Sequence, residues 1–116
     1  MGLFDIFRKV EPAPRPPEHA VIVEFRYGST DLKPVFELGD RLREALEAAA
    51  AGEYDGNEME ADGSSGSLYM YGPDADAAFN AVGSVLRACQ FMRGARVRLR
   101  YGPPGQDSRQ VEHQLP

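Results

Sequence analysis

The sequence predicts an α+β fold, and three observations predict it. Apolar residues alternate at period two in AVIVEFRY (20–27), SLYMYG (67–72) and ARVRLRY (95–101), as strands with one buried face require. From Val35 to Ala49 and from Ala75 to Cys89 they recur at spacings of three and four, the mark of amphipathic helices. Glycine, proline and serine clusters separate these stretches, so the order reads β-α-β-β-α-β. Two split βαβ units favour a ferredoxin-like sandwich, with both helices on one face of an antiparallel sheet. Right-handed crossovers leave few alternatives.

Each element has its own warrant. Residues 1–10, MGLFDIFRKV, wound as a helix, gather Leu3, Phe4, Ile6, Phe7 and Val10 into an arc of about 160°. Residues 11–18, EPAPRPPE, hold four prolines and predict an extended linker. The folded domain then runs from 19 to 116. In its first strand Val21, Val23, Phe25 and Tyr27 share one face. The first helix carries Val35, Leu38, Leu42, Ala45, Leu46 and Ala49 inward, with Gly52 as its stop. A second strand lies within 54–61, with Glu58 and Glu60 outward. ADGSSG is a turn, and the next strand sets Leu68 and Met70 against Tyr69 and Tyr71. Asp74 caps the second helix, whose stripe is Ala75, Phe79, Val82, Leu86 and Cys89, closing near Gly94. The arginine-rich strand turns Val97, Leu99 and Tyr101 inward and Arg96, Arg98 and Arg100 outward. Past GPPG, Val111, His113 and Leu115 alternate with Gln110, Glu112 and Gln114, an extra C-terminal edge strand. The expected core is Val21, Val23, Phe25, Leu38, Leu42, Leu46, Leu68, Met70, Phe79, Val82, Leu86, Val97 and Leu99.

Composition narrows the function classes. A formal charge of −5 argues against duplex DNA, where affinity comes largely from neutralised phosphates. One cysteine excludes an internal disulfide and multi-cysteine zinc sites. There is no apolar run of the ~20 residues a membrane span needs and no visible signal peptide, so a cytoplasmic chain is expected. Arginine outnumbers lysine eleven to two, a coding bias typical of GC-rich bacterial genomes.

The segments GEYDGNE (52–58), LYMYGPDAD (68–76) and RVRLRYGPPG (96–105) resemble a group of small bacterial proteins with no established activity. The resemblance spans the folded part and implies a ferredoxin-like fold; it lends no catalytic residue, cofactor or partner. EYDG (53–56) is also faintly similar to a segment of ribonuclease E inhibitor B proteins, and four residues carry no function across.

The open sheet face is the first candidate site. By analogy with the ferredoxin-like order it runs from Glu58 and Glu60 through Tyr69 and Tyr71 and then Glu24 and Arg26 to Arg96, Arg98 and Arg100. Tyrosine and arginine are enriched where interfaces concentrate binding energy, so Tyr69, Tyr71, Arg96, Arg98 and Arg100 are the protein-binding candidates, for an unknown protein partner or for self-association. The blander reading pairs Glu24 with Arg98 and leaves the tyrosine hydroxyls to water. RNA stacking on the sheet is not expected: the basic-Gly-aromatic motif is missing, and the neighbouring carboxylates repel phosphate.

Other groups offer less. Asp55, Glu58, Glu60 and Asp62 fail the calcium-loop spacing and read as a solvated acidic edge. Cys89 lies on an apolar stripe. His19 and His113 sit at the ends of the domain, His113 in a partly buried structural place. The serines lack a nucleophile elbow and the glycines a phosphate loop. The loop GSTD (28–31) precedes a helix N-terminus without a basic side chain. No catalytic constellation, metal site or cofactor is expected, and the balance leans away from an enzyme. The leader offers Leu3, Phe4 and Phe7 for docking to a partner, with membrane contact less favoured and packing on its own domain the plain alternative. The leading expectation is a non-enzymatic binding or regulatory domain. Its alternative is a small-molecule sensor or small enzyme with a pocket between sheet and helices.

Overall fold

A computed structural model describes residues 18–105 and 107–116. The leader with Leu3, Phe4 and Phe7, and the linker through residue 17, lie outside the described residues. The elements are β1 (His19–Arg26), α1 (Lys33–Ala48), β2 (Glu53–Met59), β3 (Ser65–Gly72), α2 (Ala75–Ala88), a 3-10 turn (Gln90–Met92), β4 (Arg96–Arg100) and β5 (Gln110–Gln114). The strands form one antiparallel sheet in the order β2-β3-β1-β4-β5, an α+β architecture. The added C-terminal strand is present as β5, paired with β4 from Arg96↔Gln114 to Arg100↔Gln110.

Alternation decides which face is buried. Val21 and Val23 lie opposite Met70 and Leu68 on one side and Leu99 and Val97 on the other, and all six are sealed from solvent. Val35, Leu38, Leu42 and Leu46 of α1, and Ala78, Val82 and Leu86 of α2, join them in a single cluster, so both helices cover the same face. Burial of each large aliphatic side chain stabilises the fold by about 1.5–3 kcal/mol before entropy is counted. Of the expected core, Phe79 is only partly buried: it sits at the flank of α2 and stacks on His113, centroids 5.4 Å apart. Ala51, Met92, Ala95 and Leu115 join the buried cluster instead.

The helix ends follow local chemistry. At the start of α1, the Lys33 backbone N–H donates to Asp31 Oδ1 (3.1 Å), and a proline falls in the first turn, where its missing N–H costs nothing. Asp74 caps α2 as expected, accepting from the backbone N–H groups of Asp76 (3.0 Å) and Ala77 (3.3 Å). α2 stops at Ala88 rather than near Gly94, because Cys89 turns extended and the 3-10 turn follows.

Gly52 is not the stop of α1. The helix ends at Ala48, and Ala50 takes the left-handed conformation at φ 50°. The Ala50 N–H reaches Glu47 O (3.1 Å) and the Ala51 N–H reaches Leu46 O (2.9 Å), the paired bonds of a Schellman ending. An alanine there carries steric strain that glycine does not. Ala50→Gly is therefore expected to raise stability by roughly 0.5–1 kcal/mol net of the freer unfolded chain; urea unfolding that showed a loss would refute the left-handed ending.

Candidate functional site

Register turns the open face into three rungs. The first runs Glu53–Tyr71–Ala20–Arg100–Gln110 across β2, β3, β1, β4 and β5. The second runs Gly56–Tyr69–Ile22–Arg98–Glu112, and the third Glu58–Ser67–Glu24–Arg96–Gln114. Period two sends these side chains away from the core, and no described helix covers them. The five protein-binding candidates named from sequence thus share one surface. Acid lies on β2, aromatic on β3 and basic on β4, with Glu24 of β1 and Glu112 of β5 on either side of the arginines.

Neighbouring side chains hold the surface in place. Glu24 accepts from Arg96 directly opposite (3.0 Å) and pairs diagonally with Arg98 (3.5 Å). Exposed pairs of this kind contribute little stability, about 0–1 kcal/mol, but they fix side-chain direction. One carboxylate shared by two guanidinium groups leaves β4 net positive. The Arg100 Nε–H donates to Gly102 O (2.8 Å). Tyr69 donates its hydroxyl to Glu58 Oε1 on the neighbouring strand (2.7 Å), where the blander reading of this face left it to water. A break of register between Tyr54 and Gly56 puts a bulge in β2 at Asp55.

An open cleft of about 1060 Å³ crosses the third-rung end of this face, from Glu58, Met59 and Glu60 over Ser65, Gly66 and Ser67 to Glu24, Arg26, Arg93 and Arg96. Small-molecule pockets are mostly apolar and enclosed; this one is wide and lined with ions. It also lies on the opposite side of the sheet from the pocket that a sensor or enzyme reading placed between sheet and helices.

The remaining candidates take structural places. Cys89 is buried at the end of α2, and burial pushes its thiol pKa up, away from the thiolate. Glu60 falls just past β2, its backbone bonded to Ser65. Asp62 accepts from the Ser64 N–H in the turn (2.9 Å), and Ser64 lowers its pKa. Among the described residues, no group of three or more His, Cys, Asp and Glu could hold a metal ion. No described helix is long and apolar enough to cross a membrane. His113 is exposed, not partly buried, with one ring face on Phe79.

One cluster escaped sequence reasoning. His19 Nδ1 accepts from the Ala75 N–H at the start of α2 (2.9 Å), Tyr101 donates its hydroxyl to Asp76 (2.6 Å), and the Arg109 guanidinium lies 4.3 Å from the Tyr101 ring centre. Alternation placed Tyr101 inward, but no local signal brings residue 109 back across the turn. The cluster ties both ends of the domain to one helix.

All five tyrosines have pKa values raised above the usual 10.0: Tyr27, Tyr54 and Tyr71 chiefly by burial, Tyr69 chiefly by Glu58 and Tyr101 chiefly by Asp76. Asp55 also raises Tyr71, while Arg100 opposes it. A raised acid stays protonated in the folded state after the unfolded chain has lost its proton, so its stabilisation is complete below the unfolded value and fades as pH rises through the folded one. Phenolate absorbance of the native protein is expected to lag behind that of the unfolded chain above pH 10, with unfolding made easier as pH rises. Coincident titration curves would contradict the hydrogen bonds to Glu58 and Asp76.

Comparison with family models, with curated proteins and with solved structures gives no match in any of the three.

Proposed function

We propose that this chain is a small non-enzymatic binding or regulatory domain of ferredoxin-like topology that makes protein contacts through its open sheet face. The topology is supported by strand order: β4-β1-β3-β2 run side by side with β5 added at one edge, as two split βαβ units demand. The functional reading rests on one observation, the banding of a face that no described helix covers. Two partly exposed tyrosines stand on β3, with Glu53 and Glu58 of β2 to one side and three arginines of β4 to the other, the arginine column being flanked by Glu24 and Glu112. Aromatic residues and arginine at the centre of a charged rim are what protein interfaces favour. The resemblance to small bacterial proteins adds a bacterial setting to the proposal.

The test compares capture from a native lysate by the full chain, by Tyr69→Ala with Tyr71→Ala, and by a version beginning at Glu18. Loss of a specific protein in the double variant alone supports the sheet face. Retention of every captured protein by that variant overturns it. Loss only in the version beginning at Glu18 moves the site to Leu3, Phe4 and Phe7.

A further inference from the structure

We infer that the open face binds a second copy of this chain, as a face-to-face pair about a two-fold axis parallel to the strands. The inference rests on the protein-contact reading above and names its partner. The order of charge along the rungs selects that partner. An axis in the interface, running along the strands between β3 and β1, reverses each rung and lays it on itself. On the first rung Glu53 then opposes Arg100 of the second copy, and Arg100 opposes its Glu53. On the third rung Glu58 and Arg96 exchange in the same way. On the second rung Arg98 meets Gly56, which has no side chain and open space around it.

Tyr69 and Tyr71 fall beside the axis together with Glu24, which opposes Ser67 of the second copy on the third rung, and the Glu53/Glu58 and arginine columns fall at its flanks. This gives an aromatic centre inside a charged rim, the usual anatomy of an interface. An axis perpendicular to the strands would instead set β2 on β2 and β4 on β4, acid against acid and arginine against arginine. Charge therefore selects one axis. The selected axis keeps the strands of the two sheets nearly aligned, as packed sheets prefer, and a two-fold makes the contact self-complementary and closed. The contributing patch is four strands wide and about five residues long, or roughly 19 by 17 Å. That is roughly 320 Å² per copy and about 650 Å² in all, below the ~1,200–2,000 Å² of stable interfaces, so only a weak, transient dimer is expected.

Sedimentation of the full chain across a concentration series is the first measurement. A monomer–dimer equilibrium is expected, weakened at least ~10-fold between low and high salt because the flanking charges are screened. Two variants then assign the face. Arg98→Glu with Arg100→Glu leaves the Arg96–Glu24 pair in place, and Glu53→Lys with Asp55→Lys leaves the Tyr69–Glu58 bond in place. Each variant alone is expected to dimerise at least ~10-fold more weakly, because like charges then oppose across the axis. An equimolar mixture is expected to recover dimer, since new carboxylates meet new ammonium groups. Circular dichroism confirms that each variant is folded, and the salt series on the unaltered chain needs no variant.

A chain that remains monomeric at high concentration overturns the inference. So does a dimer insensitive to both variants, which must use another surface. Neither result touches the broader reading, which falls only if Tyr69→Ala with Tyr71→Ala retains every captured protein.

Discussion

Replacing Gly52 or Gly72 by alanine is expected to lower stability by about 3 kcal/mol each, at the upper end of single-residue effects. The two glycines mark where the segment leaving α1 crosses the end of β3. A Cβ at Gly52 would land inside the van der Waals shell of the Tyr71 carbonyl oxygen, and one at Gly72 on the Ala51 carbonyl oxygen. Both obstacles are backbone, so no rotamer change relieves them. Gly52 also sits at φ 147°, where a side chain is strained even in open space. Gly56 is the control: its φ is 118° but nothing lies within 4 Å of its would-be Cβ, so alanine there is expected to cost only about 1–2 kcal/mol. The two substitutions share one contact, so the double variant is expected to lose less than the sum. Urea unfolding of the four variants checks this. Equal costs at Gly56 and Gly72 would mean that the crossing is not tight.

Leu68→Ala is expected to cost about 3–4 kcal/mol, and Ile22→Ala, facing the other way one rung along, about 1 kcal/mol or less. Leu68 is wholly buried on β3, between Val23 and Asn57 in register. Its removal leaves a cavity beneath two helices that pack on the same cluster. Ile22 lies between Tyr69 and Arg98 on the uncovered side and keeps partial access to solvent, so water or a neighbouring ring refills the space. Denaturant midpoints at constant slope measure both. The reverse ranking would exchange the two faces and remove the proposed binding surface altogether.

Alternation and helical spacing are enough to read the elements and the buried face, because those patterns are periods in the chain itself. Alternation puts Tyr69, Tyr71, Arg96, Arg98 and Arg100 on outward faces, and the analogy with the ferredoxin-like order sets them on one surface; their rungs need the register. What the sequence hid depends on contacts between distant segments. Glycine is the ordinary helix stop, so Gly52 drew the assignment, although the turn is made by Ala50 and Gly52 serves the crossing with Tyr71. Phe79 obeys the stripe of α2 yet sits at its flank, where only the position of β5 decides how deep it goes. Met92 has no period to announce it, because it lies in the 3-10 turn; Leu115 continues the alternation of Val111 and His113 but falls past the end of the last strand, where the period alone does not bury it. Glu24 could be paired with Arg98 by strand order alone, but the closer bond to Arg96 needs the register.

The placement of β1 has a kinetic consequence. It is the first described strand to leave a ribosome, and it ends in the middle of the sheet, bonded to β3 on one side and β4 on the other. Its second neighbour is made some 72 residues later, the separation of the Glu24–Arg96 bond. Until then Val21, Val23 and Phe25 stand on a strand with an unpaired edge, which is the condition under which nascent chains stick to one another. Closing such long loops before any reward slows folding relative to a helical protein of the same size. The sheet is therefore completed only once β4 and β5 have been made, and a ribosome stalled before Arg96 would hold a half-sheet in need of a chaperone.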